Sequence, residues 1–261
     1  GFVVTWASAG DQQDGDSYGV FGQSYSSSGV KNGSEFQINT TITSTQTNPS
    51  VTNLPDGDFV VTWESYAQDS DSYGVFGQRY NNSGVKNGSE FQINTYTTGT
   101  QAYSSVTSLS DGGFVVAWAS AGNQDGSNYG VFGQRYDSAF VKNGSEFQIN
   151  TTAASDQYDP SVTSLSDGDF VVTWSSALQD GDNYGIYGQR YNSSGVKNGS
   201  EFQINTYTTE TQYESSVTNL SDGGFVVTWS SWGQDGDRYG VYGQRYDSSG
   251  VKDGVEFQIN T

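Results

Sequence analysis

One pattern recurs five times along the chain and leaves few folds open. The segment Phe-Val-Val-x-Trp carries Trp6, Trp63, Trp118, Trp174 and Trp229, at spacings of 57, 55, 56 and 55 residues. Tyr-Gly-(Val/Ile)-(Phe/Tyr)-Gly-Gln follows each copy, beginning at Tyr18, Tyr73, Tyr129, Tyr184 and Tyr239. Glu-Phe-Gln-Ile-Asn-Thr comes next, from Glu35, Glu90, Glu146, Glu201 and Glu256. A fourth segment, Ser-Val-Thr-(Ser/Asn)-Leu, starts at Ser50, Ser105, Ser161 and Ser216, one copy fewer than the others. A fixed period of this length marks a repeat architecture in which neighbouring units complete one another's core.

Each segment alternates in the manner of a strand: Phe225, Val227 and Trp229 against Val226 and Thr228, Phe257 and Ile259 against Gln258 and Asn260. Asp111-Gly112-Gly113 and Asp222-Gly223-Gly224 suit a tight hairpin, and Asn32-Gly33 and Asn198-Gly199 suit a second turn. A unit therefore reads as a four-stranded antiparallel meander. The expected fold is all-β, one propeller domain over residues 1–261 with about five blades, in units of about 1–40, 41–95, 96–151, 152–206 and 207–261. The alternative is a string of tandem β-sandwich-like modules, which suffers because one four-stranded sheet has little core of its own. The paired glycines of Tyr-Gly-Val-Tyr-Gly are expected to let neighbouring blades approach. The first blade lacks its Ser-Val-Thr strand, and that unfilled edge invites strand addition, including by copies of the chain itself.

Twenty-nine acidic against ten basic residues give a net charge of -19, which disfavours nucleic acid and anionic membrane surfaces as partners. Cys, Met and His are absent, removing thiol nucleophiles, disulfides and the usual zinc, copper and haem ligands. No run of residues is long and apolar enough to suggest membrane insertion.

Ser-Leu-Ser-Asp-Gly-Gly-Phe-Val-Val-Thr-Trp, Gln-Asp-Gly-Asp-x-Tyr-Gly-Val-Tyr-Gly-Gln-Arg-Tyr-Asp and Glu-Phe-Gln-Ile-Asn-Thr together resemble tandem repeats of very large secreted or cell-surface bacterial proteins. The resemblance covers essentially the whole chain and implies export, adhesion or matrix roles, possible calcium binding and no established enzyme activity. A looser likeness of architecture is to five-bladed propeller lectins with one sugar site per blade.

Two sets of residues are candidate sites. The loop after the Trp strand carries Asp14, Asp16, Asp69, Asp71, Asp125, Asp180, Asp182, Asp235 and Asp237, mostly as Gln-Asp-Gly-Asp. Closely spaced Asp and Gly suit calcium and suit a tight turn equally, and the spacing lacks the closing Glu of an EF-hand. The second set joins an aromatic ring with amide and guanidinium groups, as glycan binding requires: Tyr18 and Gln23; Tyr73, Gln78 and Arg79; Tyr129, Gln134 and Arg135; Tyr184, Gln189 and Arg190; Tyr239, Gln244 and Arg245. For the Trp residues blade packing is the competing explanation, and for the Arg residues pairing with acids. Asn-x-Ser sequons at Asn32, Asn87, Asn143 and Asn198 read as turn chemistry.

Near-identical blades place like groups at equivalent positions, whereas glycosidase chemistry needs unlike carboxylates held in different environments. On that reasoning the chain is expected to be no enzyme. The leading expectation is a secreted or surface-displayed module for adhesion, matrix or assembly, with multivalent contact to a glycan or a cell-surface component. A soluble carbohydrate-binding lectin is the alternative and a propeller glycosidase the third possibility.

Overall fold

A computed structural model describes residues 1–9 and 17–260. The first unit contributes β1 (Phe2–Ala9), β2 (Tyr18–Tyr25) and β3 (Lys31–Gln37), in one three-stranded sheet. The other four are four-stranded antiparallel meanders: β4 (Gln46–Asn53), β5 (Phe59–Tyr66), β6 (Tyr73–Tyr80) and β7 (Phe91–Gln92); β8 (Gln101–Ser108), β9 (Phe114–Ser120), β10 (Gly130–Tyr136) and β11 (Phe147–Gln148); β12 (Gln157–Ser164), β13 (Phe170–Ala177), β14 (Tyr184–Tyr191) and β15 (Phe202–Gln203); β16 (Gln212–Asn219), β17 (Phe225–Trp232), β18 (Tyr239–Tyr246) and β19 (Phe257–Gln258). The architecture is the all-β propeller expected, with one strand missing from its first blade. No helix among the described residues is long and apolar enough to cross a membrane.

The apolar core lies between blades. Val60, Val75 and Ile93 of the second blade meet Phe114, Val116, Trp118 and Tyr136 of the third. The same layer recurs between the other successive blades, as with Val171, Ile186 and Ile204 against Phe225, Val227, Trp229 and Tyr246. Trp63, Trp118, Trp174 and Trp229 are fully buried in these layers, so the repeated Trp is a packing residue.

Polar cross-links accompany each layer. Asn94 Oδ1 accepts the Val75 backbone N–H at 2.8 Å, and its Nδ2 donates to Gln101 Oε1 at 3.1 Å. Asn150 and Gln157, and Asn205 and Gln212, repeat this link from the outer strand of one blade to the inner strand of the next. Glu-Phe-Gln-Ile-Asn-Thr is thus as much a crossover as a strand, and only its Phe-Gln pairs in β7, β11, β15 and β19.

The glycine pair does not serve blade approach as expected. A Cβ on Gly77 would stand 2.9 Å from the Phe91 ring of its own blade, and one on Gly74 would stand 2.4 Å from Asp69 Oδ2. Gly77 makes room for a ring and Gly74 for a loop carboxylate, both of the same unit.

Candidate active site at the propeller axis

The four inner strands β4, β8, β12 and β16 share one irregularity. Their pairing with the next strand shifts register between Thr47 and Ser50, Ala102 and Ser105, Tyr158 and Ser161, and Tyr213 and Ser216. The residue lifted out of each ladder, Asn48, Tyr103, Asp159 or Glu214, adopts a positive φ of 50–58°. Such backbone is costly for a non-glycine residue and is held by the surrounding sheet. Around it the inner strands are pinned in place: Val106 N–H donates to Ser50 Oγ, Val162 N–H to Ser105 Oγ and Val217 N–H to Ser161 Oγ, at 3.1–3.2 Å.

These four bulges line one groove of about 430 Å³, together with the Pro or Ser residues that follow them. It occupies the axis, since every complete blade contributes to it. Here the blades cease to be alike. Asn, Tyr, Asp and Glu stand at one equivalent position, and Glu64 stands where the other units have Ala7, Ala119, Ser175 and Ser230.

Glu64 is buried, and Oε1 accepts from Asn48 Nδ2 at 3.0 Å and from the Tyr103 backbone N–H at 2.5 Å. Burial pushes its carboxyl up, and those two hydrogen bonds oppose the rise without cancelling it. Asp159 is half-buried, and its carboxyl is pushed up to about 6, first by burial and then by the negative charges of Glu214 and Glu64. Glu214 is exposed to the groove. Asp159 and Glu214 therefore line the axial groove from adjacent blades, and the buried Glu64 of the second blade acts on Asp159 through its charge; the three carboxyls stand in three environments, with Asp159 the one pushed toward neutral pH.

An aromatic rim borders the same end of the propeller. Tyr103 and Tyr158 stand 6.4 Å apart between ring centres, Tyr158 and Tyr184 5.1 Å, and Tyr213 and Tyr239 5.4 Å. Tyr103, Tyr129, Asp156 and Tyr158 enclose a further hollow of about 240 Å³. Tyr18, Tyr73, Tyr184 and Tyr239 begin the strand that rises from this end, and Tyr129 stands immediately before its own.

The amides and guanidinium groups grouped with those Tyr residues lie elsewhere. Gln78 and Arg79 sit near the far end of β6, and their equivalents on the other blades sit likewise. Gln23, Gln78, Gln134, Gln189 and Gln244 are buried and donate to backbone carbonyls of their own blade, as Gln78 does to Arg79 O and Gly88 O. Arg79 pairs with Asp58 at 2.7 Å and with Asp56, Arg135 with Asp111, Arg190 with Asp167 and Asp169, and Arg245 with Asp222 and Asp253. The structure separates the Tyr residues from the Gln and Arg residues by most of a strand, because a side-chain cluster read from sequence neighbours ignores the 3.3 Å rise per residue.

The Gln-Asp-Gly-Asp loops are closed by protein donors. Asp69 Oδ2 accepts from Asn94 at 3.2 Å, Asp125 and Asp180 from Asn150 and Asn205, and Asp235 from Gln258 at 3.0 Å. Asp71 and Asp182 accept the backbone N–H of Gly99 and Glu210, both at 2.8 Å. The Asp237 N–H folds back to Asp235. Among the described residues no group of three or more carboxylates is arranged to hold a metal ion. Asp14 and Asp16 lie outside the described residues.

No family model matches the chain, and no curated protein matches it. Solved structures do. A protein of unknown function from Dyadobacter fermentans aligns with a TM-score of 0.63 at 10% identity, over 94% of this chain and 72% of its own. Penicillium chrysogenum α-L-arabinanase, solved with arabinobiose, aligns with a TM-score of 0.60 at 17% identity, over 81% of this chain; the aligned part spans 65% of the arabinanase. Endo-1,4-β-xylanase from Bacteroides thetaiotaomicron gives 0.53 at 9% identity, over 99% and 94% of the two chains. At these identities the likeness is one of fold.

Two expectations are corrected together. The non-enzymatic adhesion, matrix or assembly module, and the statement that the chain is no enzyme, rested on the equivalence of the blades. That equivalence fails at the axis, where unlike acids converge. The architecture itself is shared with an arabinanase and a xylanase. The signal was present in the sequence: between an unvarying Gln and an unvarying Ser of each unit stand Thr-Asn-Pro, Ala-Tyr-Ser, Tyr-Asp-Pro and Tyr-Glu-Ser, the least repetitive stretch in a repetitive chain.

Proposed function

We propose that the chain is a glycoside hydrolase whose active site is the axial groove. The observation that carries this reading is the pair Asp159 and Glu214, which line one axial groove from adjacent blades, with the Asp159 carboxyl pushed up by burial and by the charges of Glu214 and Glu64. Asp159 in its protonated form donates to the departing glycosidic oxygen. Glu214, exposed across the groove, takes the proton of the attacking water or meets the sugar carbon directly. Glu64 touches neither; it fixes Tyr103 and Asn48 and, by its charge, helps keep the Asp159 proton in place.

The groove is open, and Tyr103 and Tyr158 offer ring faces beside it, which suits a polysaccharide chain. The fold relatives named as arabinanase and xylanase make arabinan and xylan the first substrates to assay. A polymer of this kind is met outside the cell, which supports secretion. The test is release of reducing ends from each polymer by the wild-type chain, Asp159→Asn and Glu214→Gln. Turnover by the wild type and its loss in both variants is the expected result; turnover surviving both substitutions would sink the assignment.

The aromatic rim favours a second reading, glycan binding without hydrolysis. Saturable binding of these polymers with no product, in wild type and variants alike, is its signature.

A further inference from the structure

The axial groove shares a wall with the smaller hollow of about 240 Å³ between the third and fourth blades. Tyr103 lines both, and Tyr129, Asp156 and Tyr158 complete the hollow. Tyr158 and Asp159 are consecutive on β12, and at its bulge the first lines the hollow while the second lines the groove. A group held in the hollow is therefore the immediate neighbour of whatever Asp159 faces.

The repeat does not dictate this hollow. The positions of Tyr103, Tyr129, Asp156 and Tyr158 are held by Asn48, Tyr73, Thr100 and Ala102 between the second and third blades, and by Asp159, Tyr184, Thr211 and Tyr213 between the fourth and fifth. Three rings and a carboxylate in this arrangement occur at one seam. Thr45 and Thr100, at the position of Asp156, are tied into the scaffold: their Oγ1 atoms lie 2.9 Å from Ser17 Oγ and 2.8 Å from Ser72 Oγ. Asp156 Oδ1 accepts the Tyr129 N–H only at 3.4 Å, and the residue stays half-exposed at the wall of the hollow.

The shape and chemistry select a ligand. Tyr103 is 45% exposed, and its ring is inclined by 38° to that of Tyr158, so the hollow is a wedge with apolar faces and a carboxylate at its edge. A sugar ring matches it, with C–H faces that stack on an aromatic ring and hydroxyls that donate to a carboxylate. No Lys or Arg lines the hollow or the groove, whereas Asp156, Asp159 and Glu214 do. A carboxylated or sulfated sugar placed here would meet like charges with no cation to pair with.

We propose that this hollow seats the sugar residue next to the one at Asp159 and selects uncharged polysaccharides over uronic-acid or sulfated ones. The proposal rests on the glycoside hydrolase reading. Tyr103 stacks on the seated ring, Tyr129 and Tyr158 close the sides, and Asp156 accepts from its hydroxyls. The bound polymer then leaves the groove between the third and fourth blades.

The test is affinity electrophoresis of the full chain in gels carrying arabinan, xylan, galactan, mannan or polygalacturonate, a readout that needs no turnover. Asp156→Thr and Tyr158→Ala each install the residue that another unit carries at that position, so the scaffold accepts both. Each is expected to weaken binding of the preferred neutral polymer at least about fivefold, the scale of one lost stacking or hydrogen-bonding contact. Polygalacturonate is expected to bind the wild type at least about tenfold more weakly than that polymer, with the gap narrowed in Asp156→Thr. Tyr213→Ala, at the next seam, is expected to have a smaller effect than Tyr158→Ala. Retardation by no neutral polymer, retardation indifferent to both hollow variants, an equal loss in Tyr213→Ala, or polygalacturonate bound as tightly as the neutral polymers would each overturn the proposal. Reducing-end release on the same proteins separates the two readings: product formed with binding indifferent to both hollow variants removes the seat and leaves the hydrolase, while binding lost in both with no product from any polymer keeps the seat and removes the hydrolase.

Discussion

Glu64 at the end of one blade accepts the backbone N–H of Tyr103 on the next, at 2.5 Å, so one buried carboxylate fixes the backbone of the bulge that shapes the axial groove. The contact joins two positions that are unlike anything at the equivalent places of the other units.

Glu64→Gln keeps an oxygen for Tyr103 and removes a desolvated charge. The expected outcome is a melting temperature at pH 7 that is unchanged or higher, with turnover reduced, because removing the charge lowers the Asp159 pKa and loosens proton retention. Calorimetry and a pH–rate profile on the same variant separate the two effects.

Asp159 has a folded-state pKa of about 6, above its unfolded value near 3.8. Between those values the folded chain binds more protons than the unfolded one, so this group's contribution to stability falls as pH rises from about 4 to about 6. Asp159→Asn flattens that slope in urea titrations run across this range. It also lowers turnover by roughly 10²–10⁴-fold, the usual worth of a positioned general acid. The wild-type pH–rate profile loses activity on its alkaline side near pH 6.

Trp118 is sealed between the second and third blades, whereas Trp6 is half-open at the end of the series. Trp118→Ala is expected to cost about 3–5 kcal/mol in denaturant unfolding and Trp6→Ala distinctly less. Equal costs would show that the first blade is covered in solution.

Gly185 has no room for a methyl group, since a Cβ would stand 2.4 Å from Asp180 Oδ2. Gly185→Ala is expected to destabilise by about 1–3 kcal/mol through overpacking. The double variant with Asp180→Ala recovers part of that loss, which thermal melts of the three variants would show.

Much of the fold was legible because repetition multiplies a weak signal: five copies of Phe-Val-Val-x-Trp and a Gly at every turn favour blades of a propeller over tandem sandwich modules. The missing inner strand of the first blade was visible in the same way, as a gap in a count. The site was obscured by the same repetition. Averaging the units emphasises Gln, Arg and the loop Asp, which recur because each unit needs them to hold itself together, as Arg79 does with Asp58 and Asp69 with Asn94. Asn48, Tyr103, Asp159 and Glu214 disappear in that average. Their convergence also depends on bulges that no turn residue announces, because the strained φ is imposed by the ladder on either side.

The bulge has one more consequence. A residue raised out of the hydrogen-bond ladder, with the same Gln before it and the same Ser after it, can change identity without altering the pairing of its strand. Duplication of such a unit copies the scaffold and leaves one blank letter facing the axis in each copy. Asn, Tyr, Asp and Glu fill four of them. The chain is therefore a frame on which a new specificity can be written one substitution at a time, with each trial tested against an unchanged background.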